Sequence, residues 1–129
     1  MSQKQHICIL ENDPFFAGLY ARKFESRGWK ATVIERADEL DKCLEADGVD
    51  LFIVDIDGED YSAKKLLEKL KAPGRKHKML PIVILTEVKD REVVQKMMRI
   101  GVDAYLFKGH FVPSEVVEKV QRILDSRVV

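Results

Sequence analysis

Five short runs rich in Val, Ile, Leu and Phe, at residues 6–10, 30–34, 50–55, 80–85 and 104–107, are separated by stretches whose apolar residues recur every three or four positions. This switching between strand period and helix period constrains the chain more than any other feature. Strands joined one after another through helices run parallel in a shared sheet. The first, third and fourth runs are almost continuously apolar, as strands covered by helices on both faces must be.

The intervening helices have readable ends. Asp13-Pro14 supplies an N-cap and a first-turn proline, Phe16, Leu19, Tyr20 and Phe24 form the apolar face, and Gly28 is the stop. Residues 38–46 read as a second helix closing near Gly48, and residues 62–70 as a third with Leu66, Leu67 and Leu70 inward. Asp90 caps a fourth, in which Val93, Val94, Met97 and Met98 precede Gly101; Met97 is expected in the core and Met98 at its rim. The last, over 113–126, places Val116, Val117, Val120, Ile123 and Leu124 on one face. With 129 residues and no repeat, linker or low-complexity tract, the expectation is a single domain over 1–129 with no output domain.

Lys plus Arg is 22 and Asp plus Glu is 22, so no net positive field exists to hold a nucleic acid or an anionic membrane. Neither partner is expected. The apolar runs are strand-sized, far below the roughly 18 residues of a membrane span, and no signal-like segment opens the chain, so a cytoplasmic location is expected. Cys8 and Cys43 form no CxxC pattern and have no histidine at ligand spacing, which favours reduced, structural thiols.

In an open parallel sheet ligands bind beyond the carboxyl ends of the strands, where strand order reverses. The residues there are Glu11, Asn12 and Asp13 after the first strand, Asp55 and then Asp57 at the third, Thr86 at the fourth and Lys108 at the fifth. Clustered carboxylates resist ionising together unless a cation relieves them, and Mg2+ is the hard, oxygen-seeking choice.

This set of strand-end residues, in this order over essentially the whole chain, resembles the response-regulator receiver domain of two-component signalling. The resemblance implies a flavodoxin-like (βα)5 doubly wound sheet with strand order 2-1-3-4-5. It also implies a signalling phosphoacceptor rather than an enzyme. Asp55 would take a phosphoryl group from a histidine kinase or phosphotransfer protein, with Mg2+ held at Glu11, Asn12 and Asp55. Lys108 would pair with the phosphoryl oxygens. Thr86 and Tyr105 would switch a protein-interaction surface made by the fourth helix, fifth strand and fifth helix. A downstream protein would read that surface; a homodimer through it is compatible with the sequence but not demanded by it.

The chain departs from the family pattern at four places. Asn12 stands where a second aspartate is usual, Gly109 where a proline follows the lysine, and Glu87 where a small residue follows the threonine; the loop after Asp55 lacks the usual turn. Asp57 offers a carboxylate that is expected to replace the one lost at Asn12. Glu87 is expected to narrow access to Asp55 or repel a phosphoryl donor, and Asn12 to lower metal affinity. A receiver fold working as an interaction module without phosphorylation is therefore a competing reading. Two remoter ones rest on LFIVDIDG, residues 51–58, which is similar to the nucleophile motif of haloacid-dehalogenase-type phosphatases, and on Glu11 with Asp55 and Asp57, which is similar to a Toprim site. The phosphatase motif ordinarily opens its fold and needs a downstream acidic pair that is lacking here, and charge neutrality argues against Toprim. The basic run 75–78 reads as a solvated loop, and His6 and His110 show no partner in the sequence.

Overall fold

Side chains of a strand point alternately to the two faces of a sheet, so an all-apolar strand needs a cover on both sides. The computed structural model describes residues 4–56, 63–74 and 79–127 and shows those two covers. In chain order the elements are β1 (His6–Leu10), α1 (Pro14–Glu25), β2 (Lys30–Ile34), a 3-10 turn (Ala37–Glu39), α2 (Leu40–Asp47), β3 (Leu51–Val54) and α3 (Ala63–Lys71). There follow β4 (Ile82–Thr86), α4 (Arg91–Ile100), β5 (Ala104–Phe107), a second 3-10 turn (Lys108–His110) and α5 (Pro113–Ser126). All strand pairs are parallel and the order is β2-β1-β3-β4-β5, the expected doubly wound arrangement.

Alternate residues of the central strands enter separate cores. Cys8, Leu10, Phe52, Val54, Ile82 and Ile84 face one side, with Leu40 and Leu44 of α2, Leu67 and Leu70 of α3 and Met97 of α4. Ile7, Ile9, Leu51, Ile53, Val83 and Leu85 face the other, with Tyr20 and Phe24 of α1 and Val116, Val117 and Val120 of α5. Met97 is buried and Met98 exposed, as their helical spacing implies. Cys8 lies wholly in the core, where burial first and then the adjacent Cys43 push its thiol up.

Boundaries differ from the periodicity by a residue or two at several element ends. β4 begins at Ile82 rather than at 80, because Pro81 has no N–H to give the ladder. β3 stops at Val54, although the Asp55 N–H still donates to the Leu10 carbonyl at 3.0 Å. The second helix is split: residues 37–39 form the 3-10 turn and α2 follows at Leu40. Residues 57–62 and 75–78, including Asp57 and the basic run, lie outside the described residues.

His6 has partners that the sequence did not reveal. It is buried at the amino end of β1, its Nδ1 2.6 Å from the Gly48 carbonyl and its Nε2 2.7 Å from Thr32 Oγ1. A carbonyl only accepts, so Nδ1 donates to Gly48, whereas the Thr32 hydroxyl can serve Nε2 as donor or acceptor.

Candidate functional site

The chain enters the sheet at β1, moves out to β2 and crosses back to β3, so the order reverses between β1 and β3. Their carboxyl ends carry Glu11 and Asp55. Backbone bonds extend each strand into the site: Glu11 N–H donates to the Ile34 carbonyl at 3.3 Å, and Asp55 N–H to Leu10. Both side chains are buried.

Lys108 is the first residue after β5, at the start of the 3-10 turn that directs its stem back over the strand ends. Its Nζ lies 2.8 Å from Asp55 Oδ2 and 2.8 Å from Glu11 Oε2, and its side chain is 6% exposed. One ammonium is therefore shared by two desolvated carboxylates. Burial alone would lower the Lys108 pKa, but hydrogen bonds to Asp55 and Glu11 outweigh it and raise the value. Glu11 is pushed up from 4.5 to about 7, first by burial, with the Asp55 charge adding to it and the Lys108 hydrogen bond opposing. With both carboxyl groups ionised their charge exceeds that of the one ammonium, and burial relieves the excess by favouring the neutral form of Glu11.

Around this triad, Glu11 Oε1 accepts from the Asp13 N–H at 3.1 Å, while Asp13 caps α1 by accepting from Phe15 N–H at 2.9 Å. Asn12, between them, is exposed. Thr86 ends β4 fully buried, and its Oγ1 accepts from the Val88 N–H at 3.2 Å. The Tyr105 hydroxyl donates to the Val88 carbonyl at 2.7 Å, so Thr86 and Tyr105 grip the same loop residue. Glu87 is exposed between them.

The strand-end residues expected from the sequence thus converge: Glu11, Asp55 and Lys108 in direct contact, with Asn12 and Thr86 at their own strand ends and Tyr105 linked through the loop. Asp57 falls outside the described residues. Two aromatics were legible only as core. Phe16 presents its ring to Lys108 Nζ, 4.6 Å from the centroid, and stacks on Tyr20 at 6.3 Å and 18°. Burial raises the Tyr20 phenol, opposed by Lys108 and reinforced by Glu11, Asp55 and Glu87. Their signal was aromatic character in the first turns of a helix that begins at the site's edge.

Among the described residues no three His, Cys, Asp or Glu side chains group as a metal cluster. The donors present are nevertheless hard oxygens, and Glu11 and Asp55, meeting at one ammonium, suit a divalent cation that keeps several waters, needs only one or two carboxylates and favours their ionised forms.

No helix among the described residues is long and apolar enough to cross a membrane. Comparison with curated proteins yields no match. Solved structures similar in fold include a CheY-like response regulator receiver domain protein from Methanospirillum hungatei JF-1, with 24% identity, a TM-score of 0.82, and coverage of 96% of either chain. The chemotaxis response regulator CheY4 of Vibrio cholerae superposes with a TM-score of 0.81 at 18% identity, over 94% of this chain and 99% of that one. The BeF3-activated N-terminal receiver domain of Klebsiella pneumoniae RstA gives 0.80 at 21% identity, over 93% and 98%. The sequence model of the response regulator receiver domain matches residues 7–121, nearly the whole of the two-sided fold and every strand end of the pocket, and the chain belongs to that family.

Proposed function

We propose that Asp55 accepts a phosphoryl group from the phosphohistidine of a histidine kinase or phosphotransfer protein. A carboxylate oxygen of Asp55 forms the new bond to phosphorus as the phosphorus–nitrogen bond breaks and the imidazole leaves. The observation that carries this reading is the Lys108 ammonium bridging Asp55 and Glu11, each at 2.8 Å. A carboxylate attacks an anionic phosphoryl group poorly unless cations offset the charge, and Lys108 is already within reach to follow the phosphoryl oxygens. Mg2+, held by Glu11, Asn12 and Asp55 with Asp57 as the replacement carboxylate, would supply the remaining neutralisation. Asp57 would also orient a water toward the modified Asp55 and shorten its lifetime.

Thr86 and Tyr105 support a readout at α4, β5 and α5, since both bond to Val88 in the loop leading into α4. The phosphoryl group would draw the Thr86 hydroxyl toward it, release its bond to the Val88 N–H and bias the loop toward a second packing, which a downstream protein or a second copy of the chain reads. The competing reading, an interaction module that is never phosphorylated, is favoured by the exposed amide of Asn12. Beryllofluoride, which mimics a phosphoryl group on a carboxylate, separates the two. With Mg2+ it is expected to shift the backbone NMR signals of Asp55, Thr86, Val88, Tyr105 and Lys108; an unchanged spectrum at saturating beryllofluoride favours the interaction module.

A further inference from the structure

The Lys108 ammonium has three stabilising neighbours among the described residues: the carboxylates of Asp55 and Glu11, and the face of the Phe16 ring at 4.6 Å. We propose that Phe16 is a positioning residue for Lys108, its ring face holding the ammonium between the two carboxylates in the pose from which it serves phosphoryl transfer. The proposal rests on the reading of Asp55 as the phosphoacceptor and deepens it.

The ring belongs to a fixed shelf. Phe16 stacks on Tyr20, which is 3% exposed, and meets the edge of Phe15 at 5.4 Å and 79°. Tyr20 is locked in the core beneath the sheet end, so the Phe16 face cannot turn away without repacking α1. An aromatic face attracts an ammonium through its quadrupole, most strongly where water is excluded, as it is around a side chain 6% exposed. A leucine of similar bulk would offer packing without that attraction.

Restraint matters because the lysine side chain is a flexible four-carbon stem, which the 3-10 turn aims but does not fix at its ammonium end. The carboxylates are changeable anchors: phosphorylation converts one into an acyl phosphate, and a divalent cation competes for both. The ring neither ionises nor is modified. It is therefore the anchor that persists through the reaction. An amide at Asn12 holds a divalent cation more weakly than a carboxylate would, so Lys108 carries a larger share of neutralising the phosphoryl group and its placement matters correspondingly more.

The test replaces Phe16 in the full chain by phenylalanines bearing one, two and three ring fluorines, which keep the shape while stepwise cancelling the face potential, together with Phe16→Leu. Two quantities are read: the chemical shift of the Lys108 side-chain nitrogen without any phosphodonor, and the rate of Asp55 phosphorylation by acetyl phosphate with Mg2+. The expected result is a graded shift and a graded fall in the maximal rate, about threefold across the series and with little change in the acetyl phosphate concentration at half-maximal rate. Phe16→Leu should fall at the end of the series. A flat series in both quantities overturns the proposal and makes the ring plain packing. A graded Lys108 shift in a protein that acetyl phosphate never modifies upholds the positioning role and overturns the phosphoacceptor reading.

Discussion

Glu11 holds a carboxyl group whose neutral form the fold prefers, and this makes stability depend on pH with a definite sign. Its pKa rises from 4.5 to about 7 on folding, so the contribution is fully present below 4.5 and is lost as pH climbs through 7. The ceiling on that loss is about 3 kcal/mol. Glu11→Gln keeps the shape without the charge; in urea titrations it should match the wild type at pH 4 and exceed it at pH 8 by about 1–3 kcal/mol, with Mg2+ narrowing the gap. Equal stabilities at both pH values would mean that Lys108 already neutralises Glu11 fully. A second forecast concerns the divalent cation. Asn12→Asp should tighten Mg2+ binding on the order of tenfold, and Asp57→Asn should weaken it and slow dephosphorylation; calorimetric titration showing no change for Asp57→Asn would place that side chain outside the site. Glu11, Asp55 and Lys108 were legible in the sequence because strand ends at a switch point are few and their charges complement one another. Phe16 and Tyr20 were not, since helical period marks an apolar face without saying which aromatic reaches the end of the sheet. His6 was illegible for another reason: its partners lie 26 and 42 residues away.

At the scale of elements, three side chains bond to the backbone of the loop between β4 and α4 and of the first turn of α4. Tyr105 reaches Val88 from β5, Thr86 holds the Val88 N–H, and Asp90 caps α4 by accepting from Glu92 N–H at 2.8 Å and Val93 N–H at 3.4 Å. Tyr105→Phe removes one bond and keeps the ring, which also packs edge-on against Phe107 at 5.5 Å. It should cost about 1 kcal/mol and raise microsecond-to-millisecond exchange at residues 86–90 in NMR relaxation dispersion. Asp90→Ala should cost about 1 kcal/mol in chemical denaturation by uncapping the helix. If Tyr105→Phe left the loop as quiet as the wild type, the Tyr105 hydroxyl would have no part in a switch. Helix ends were well marked in the sequence because caps are local: Asp13, Asp90 and Gly101, at φ 107°, each act on the adjacent turn. Strand ends were less so, since a ladder depends on neighbouring strands as well as on composition, and Pro81 moved the start of β4 inward.

For the whole molecule, the two cores and the pocket follow from one arrangement. Strand order 2-1-3-4-5 puts β1 and β3 at the centre, buried on both faces, and leaves their carboxyl ends as the place where Glu11 and Asp55 leave apolar surroundings together. β5, at the edge beside β4, delivers Lys108 to them from 53 residues beyond Asp55. The doubly wound class was legible from the alternation of periods, since few other folds accommodate near-continuously apolar strands separated by amphipathic helices. The sharing of one ammonium by two carboxylates was not, because it depends on side-chain reach across three strand ends. The central claim is that this shared ammonium makes Asp55 a phosphoacceptor. Intact-protein mass spectrometry after incubation with acetyl phosphate and Mg2+ tests it most directly. The expected spectrum shows the addition of one phosphate in the wild type and none in Asp55→Asn; an unmodified wild type at saturating acetyl phosphate, or an equal gain in Asp55→Asn, would contradict it.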